Sequence, residues 1–124
     1  MRISPLTHQL NETVAIRVPG QSAICWSVFN PSRSEVYLMD VGVSNITAVD
    51  SETGAITRIL AQDAKTKGSL DGKIAGRGNA FLYVLKTAGM VSVTDTESGE
   101  VKQLLDLNPL GSSKGFMGMA IWEA

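Results

Sequence analysis

Asp50-Ser51-Glu52-Thr53-Gly54 is answered 45 residues later by Asp95-Thr96-Glu97-Ser98-Gly99, and the flanking residues return with it. Ile46, Ala48, Ile56 and Leu60 have counterparts at the same offset in Val91, Val93, Val101 and Leu105. Upstream the register slips by one, so that Tyr37-Leu38 matches Tyr83-Val84. Two aspartates and two glutamates invite a reading as metal ligands or paired catalytic carboxylates. A mechanical reading is favoured. Gly54 and Gly99 take the positive φ that a tight hairpin needs, and the aspartates accept hydrogen bonds from amides across the turn. A feature that recurs at the same place in each repeat is a turn, not an active site.

Between the turns the sequence alternates as strands do. Thr13 to Val18 places Val14, Ile16 and Val18 on one face, and Pro19-Gly20 ends the run. Ser22 to Phe29 is apolar enough for a strand covered on both faces, and Trp26 is expected in the core. Asn30-Pro31-Ser32-Arg33-Ser34 turns the chain into Glu35 to Val41, followed by Asn45 to Asp50 and Ala55 to Leu60. Ala61 to Lys67 supports at most a turn or two of helix. A second set follows: Leu70 to Ala75, Phe81 to Lys86, Met90 to Asp95 and Glu100 to Leu107. Gly115 to Trp122 reads as one further strand, with Trp122 also expected in the core. The connections within each set are too short for parallel pairing, so both are antiparallel meanders.

A period in the mid-forties built of short strands and turns is the signature of propeller blades. The expectation is an all-β chain, a β-propeller fragment forming one partial domain over residues 1–124. Blade one spans about 22–60 and blade two about 70–107, with flanking strands at about 13–18 and 115–122. The first strand of each set, with Gly115 to Trp122, is expected to line the inner channel.

Composition narrows the function classes. The 124 residues carry a net charge of −1, which argues against nucleic acid or an anionic membrane as the main partner. Lys65, Lys67, Lys73 and Arg77 form the richest cationic stretch, read first as a solvated loop. Cys25 is the single cysteine, so no intrachain disulfide forms, and its apolar setting marks a buried, inert thiol. His8 is the single histidine, so neither a Ser-His-Asp arrangement nor a multi-histidine metal site is expected, and no cofactor is implied. The N-terminal residues lack a signal-peptide h-region, and no window approaches the 18 apolar residues of a membrane span. Asn11-Glu12-Thr13 and Asn45-Ile46-Thr47 are glycosylation sequons if the chain is secreted.

Cys25-Trp26-Ser27-Val28-Phe29-Asn30-Pro31, Val36-Tyr37-Leu38-Met39-Asp40-Val41-Gly42 and Asn45-Ile46-Thr47-Ala48-Val49-Asp50 resemble the lactonase-type propellers. More narrowly, they resemble the fungal 3-carboxymuconate cyclase-like proteins. Gly78-Asn79-Ala80-Phe81-Leu82-Tyr83-Val84-Leu85 and Gly115-Phe116-Met117-Gly118-Met119-Ala120 fit the last part of that family. The resemblance implies a seven-bladed propeller, often secreted and glycosylated, of which this chain matches the C-terminal two blades. It implies a muconate cyclase of the lyase or isomerase type, or a lactone hydrolase, acting on a small carboxylated ligand. Lys73 and Arg77 are the candidates for gripping its carboxylates. Asp71 and His8 are the available acid–base groups, and no catalytic residue is assigned.

Two alternatives stand beside this reading: a non-catalytic secreted or cell-surface interaction protein, and a truncated propeller with no activity of its own. The family location is extracellular; without a signal peptide the alternative is cytoplasmic. A blade is normally covered on both faces. If each bare face would bury ~500 Å², its exposure forfeits about 12 kcal/mol at ~25 cal/mol/Å². Expressed alone, the chain is therefore expected to self-associate through its exposed blade faces.

Overall fold

The computed structural model describes residues 2–3, 10–11 and 15–123. A two-residue antiparallel ladder pairs β1 (Arg2–Ile3) with β2 (Leu10–Asn11). The first large sheet runs β3 (Ile24–Asn30), β4 (Glu35–Asp40), β5 (Ile46–Asp50) and β6 (Ile56–Leu60), in that spatial order. The second runs β7 (Ser69–Ala75), β8 (Phe81–Lys86), β9 (Met90–Asp95) and β10 (Val101–Asp106). Every neighbouring pair is antiparallel, as the short connections require. Between the sheets, Ala64–Thr66 makes a single 3-10 turn capped by the Asp63 carboxylate on Lys65 N.

The repeated pentapeptide builds the same turn twice. Asp50 Oδ1 accepts from the amides of Glu52 (3.0 Å) and Thr53 (2.7 Å), and Gly54 N donates to Asp50 O at 2.9 Å. Asp95 Oδ1 accepts from Glu97 N (2.9 Å) and Ser98 N (2.8 Å), and Gly99 N returns to Asp95 O at 2.9 Å. Gly54 and Gly99 sit at φ 73° and 76°, where a Cβ is strained. The irregularities repeat too. Pairing skips Cys25 in β3 and Leu70 in β7, then Thr57 in β6 and Lys102 in β10. Each such bulge bends its strand at the same point of each blade.

The two sheets pack face to face around one core. Tyr37, Met39, Ile46, Ala48 and Leu60 of the first sheet meet Leu82 and Val84 of the second, with Val28 and Ile74 alongside. Gly72 permits the approach of β7, since a Cβ there would lie 2.3 Å from Met39 Cε.

Several expectations change at the margins. Cys25 is exposed, Trp26 is 45% exposed and Trp122 is 87% exposed, so none of the three is core. The apolar run around β3 suits a strand covered on both sides, but among the described residues no third sheet lies against it. Residues 15–18 are not in a strand, while Thr13, Val14 and His8 lie outside the described residues. Ser113–Gly115 forms a 3-10 turn and residues 116–123 carry no strand pairing, since the bonds that tie this segment to β7 run through the Asp71 and Glu123 carboxylates and not through a backbone ladder.

Candidate functional site

β7 packs against both β3 and β4, so the first strands of the two sheets share one edge of the molecule. In a propeller this edge lines the central channel. Asp71 organises it. Its Oδ1 accepts from Lys73 Nζ at 2.8 Å and Gly72 N at 2.7 Å, and its Oδ2 accepts from Met119 N at 2.9 Å. The C-terminal segment is thereby laid along β7, and the Glu123 carboxylate accepts from Gly76 N at 2.5 Å. Burial alone would raise the Asp71 carboxyl, but the Lys73 bond and the two amides outweigh it and hold it below its ordinary range. The Lys73 ammonium also lies 5.1 Å from the centroid of the Trp26 ring, within cation–π range. Trp26, Lys73, Asp71 and Met119 thus form a continuous strip across β3, β7 and the tail.

Lys73 is part of this strip, already paired and stacked. Arg77 is exposed in the 3-10 turn Arg77–Asn79, where it lines a polar groove with Ser32, Arg33, Asp95 and Glu97. The side chain of Asn11 lies outside the described residues, whereas Asn45 is exposed and its Oδ1 accepts from Gln62 N at 3.1 Å. Among the described residues, no group of three or more His, Cys, Asp or Glu is placed to hold a metal ion.

The strongest polar network lies between the blades and escapes sequence reading. Glu35 Oε2 accepts from Arg58 Nη2 (2.8 Å), Tyr37 Oη (3.0 Å) and Arg33 Nε (3.1 Å), and Thr57 Oγ1 donates to its Oε1 at 3.0 Å. Burial would raise this carboxyl; the hydrogen bonds led by Arg58 hold it down to about 2. Burial and the neighbouring Glu35 raise the Tyr37 hydroxyl instead. Arg58 then crosses to the second sheet, donating to Glu97 O at 2.8 Å and to Thr96 O. Gln62 makes a parallel crossing to Ser92 and Thr94. Lys86 is fully buried, donating to Ser44 O (2.8 Å) and Ser69 Oγ (2.9 Å), and burial lowers its ammonium to about 8. These groups are consumed in tying blade to blade.

Two antiparallel four-stranded sheets packed in this way are propeller blades, and solved structures share the arrangement. The chain is similar to the β-propeller domain of Cps50 (Swd1) from Myceliophteria thermophila, at 17% identity and a TM-score of 0.59, over 72% of this chain and 27% of that one. It is similar to the WD40 repeats of RRP9 at 17% identity and a TM-score of 0.61, over 73% of this chain and 28% of that one. The chain therefore spans less than a third of each of these two propellers. No protein-family model matches it, and no curated protein matches it. At such identities the likeness carries the fold alone. Among the described residues, no helix is long and apolar enough to cross a membrane.

Proposed function

We propose that the chain is part of a non-catalytic propeller scaffold that receives protein partners on its channel-side strip. The observation that carries this reading is Trp26, half exposed and held under Lys73, which Asp71 fixes in turn. A preorganised tryptophan beside a positioned cation is the kind of group that anchors protein interfaces. The neighbouring tail adds exposed Met117 and Trp122. A photo-crosslinking residue placed at Trp26 in the native host is expected to trap a discrete partner. Lys73→Glu should abolish the adduct and Lys102→Glu, on the outer strand, should spare it. An adduct indifferent to Lys73 would overturn the reading.

Self-association through the outward apolar faces belongs to the same proposal, and Phe29 and Ile59 on one face and Leu105 on the other support it. Light scattering on the purified chain is expected to give a mass above that of the single chain. Secretion is supported by the exposed Asn45, whose Nδ2 is free to carry a glycan while Oδ1 keeps its bond to Gln62 N. A mass shift on the native protein that disappears in Asn45→Gln tests it.

The resemblance to 3-carboxymuconate cyclase-like propellers favours a second reading, in which Lys73 and Arg77 hold the carboxylates of a small substrate. Turnover of a carboxylated muconolactone by the purified chain, lost in Lys73→Met, would establish it. The pairing of Lys73 with Asp71 counts against it.

A further inference from the structure

Residues 116–123 lie along β7 without joining its ladder. Met119 N donates to Asp71 Oδ2 at 2.9 Å and Gly76 N donates to the Glu123 carboxylate at 2.5 Å, so the segment runs parallel to β7. From Asp71 to Gly76 an extended strand covers about 17 Å at ~3.3 Å per residue. The steps from Met119 to Glu123 reach about 14 Å at most, so this stretch is extended and the glutamate side chain supplies the rest. Among the described residues, these two carboxylate–amide bonds are the only hydrogen bonds of residues 117–123. An element held at two points and paired nowhere has low local stability, and it opens while the sheets stay folded.

Asp71 carries the consequence of that opening to β3. One carboxylate serves both sides: Oδ1 holds Lys73 Nζ at 2.8 Å and Oδ2 holds the segment. Burial would raise this carboxyl, and the Lys73 and Met119 bonds both favour its ionised form. Each bond thereby stabilises the charge that the other uses. The Met119 amide also fixes the plane of the carboxylate. With Oδ2 released the group turns about a broad terminal torsion, and Oδ1 is no longer kept aimed at Lys73. Lys73 in turn stands over the Trp26 ring. Direct contacts therefore lead from Met119 N through Asp71 and Lys73 to Trp26, and the segment, docked or released, is the two-state element at their end.

We propose that residues 116–123 are a clasp: docked, they set Lys73 over Trp26 and complete the partner-binding strip with Met117 and Trp122; released, they dismantle it. The clasp rests on the scaffold reading above and adds its regulation. Coupling of this kind is reciprocal. Loss of Lys73 must loosen the clasp, just as loss of the Met119 bond must loosen Lys73. The exposed Lys102–Glu100 pair on the outer strand has no such link and serves as the control.

The test is NMR of the purified full chain, followed by crosslinking in the native host. Met119→Pro removes the N–H and should shift the Trp26 indole resonance, whereas Met119→Leu, which keeps it, should leave that resonance in place. Lys73→Met should speed solvent exchange of the Met119 and Gly76 amides about fivefold or more, and Lys102→Met should not. Each of these substitutions falls at a partly or fully exposed position, so the fold is not at stake. In the host, Met119→Pro should cut the adduct of a crosslinking residue at Trp26 about fivefold or more. Amides that ignore Lys73→Met, or a Trp26 resonance that ignores Met119→Pro, would overturn the proposal. An adduct indifferent to Met119→Pro also overturns it, and if that adduct still requires Lys73 the scaffold reading survives. Absence of any adduct in the parent chain overturns the scaffold reading, and the clasp's role in binding with it, even where the NMR coupling is present.

Discussion

Glu35 and Lys86 are buried charges at the same interface with opposite effects on stability. The Glu35 carboxyl is held at about 2, below its ordinary 4.5, so its stabilisation is complete above pH 4.5 and is lost as pH falls towards 2. That shift corresponds to about 3 kcal/mol. Glu35→Gln should therefore lower unfolding free energy at pH 7 by about 3 kcal/mol, and the gap to the parent chain should close by pH 2. Urea denaturation at the two pH values checks it; a gap that persists in acid would mean that packing, not charge, is what Glu35 supplies. Lys86 runs the other way. Its ammonium sits at about 8 instead of 10.5, so the penalty of burying the charge is complete below pH 8 and is relieved as pH rises to 10.5. Lys86→Met removes that penalty together with the bonds to Ser44 and Ser69. The difference in stability between Lys86→Met and the parent should move by about 3 kcal/mol in the parent's favour between pH 7 and pH 10.5. A pH-independent difference would show that burial leaves the ammonium titrating where it does in the unfolded chain.

At the scale of the element, the duplicated turns make a controlled pair. Gly54 and Gly99 have nearly the same φ, so alanine at either costs about 1–2 kcal/mol for the left-handed backbone. A Cβ at Gly99 would also stand 3.0 Å from Leu60 Cδ2, so Gly99→Ala should cost more than Gly54→Ala. The two losses should add in the double variant, because the turns lie on different sheets. Chemical denaturation of the three variants measures this, and equal single losses would mean that Leu60 gives way. These turns were legible in the sequence because glycine, aspartate and a fixed offset are local signals. The strands were legible too: β8 and β9 fall at Phe81–Lys86 and Met90–Asp95, as alternation between turn residues indicates. The link from Arg58 to Glu35 was not. It joins residues 23 apart on non-adjacent strands and exists because the bulge at Thr57 places Arg58 opposite Ala48, on the face towards the second sheet. No periodicity announces such a bulge. The exposure of Cys25 and Trp26 was hidden for another reason. An apolar run reads the same whether its cover is present or not, and cover is a property of neighbouring sheets.

At the scale of the whole molecule, each large sheet buries its main apolar face against the other. Tyr37, Met39, Ile46, Ala48 and Leu60 have Leu82 and Val84 as their opposing partners, and the ties from Arg58 and Gln62 cross the same boundary. A single four-stranded antiparallel sheet with one apolar face uncovered has little stability of its own. The blades are therefore expected to unfold as one cooperative unit, although the repeat suggests two. Leu82→Ala provides the decisive perturbation. Leu82 is fully buried on β8, at the centre of the second sheet's inner face, and its truncation should cost about 3 kcal/mol through lost burial and the cavity left behind. If the sheets are coupled, the most protected amides of β4 and β5 should exchange roughly a hundredfold faster in the variant, by the same factor as those of β8 and β9. Native-state hydrogen exchange reads both sheets in one experiment. Acceleration confined to β8 and β9 would mean that the first sheet stands without the second, making the blade rather than the pair the unit of stability. Equal acceleration makes the interface that unit, and any partner covering an outward face would then stabilise both blades together.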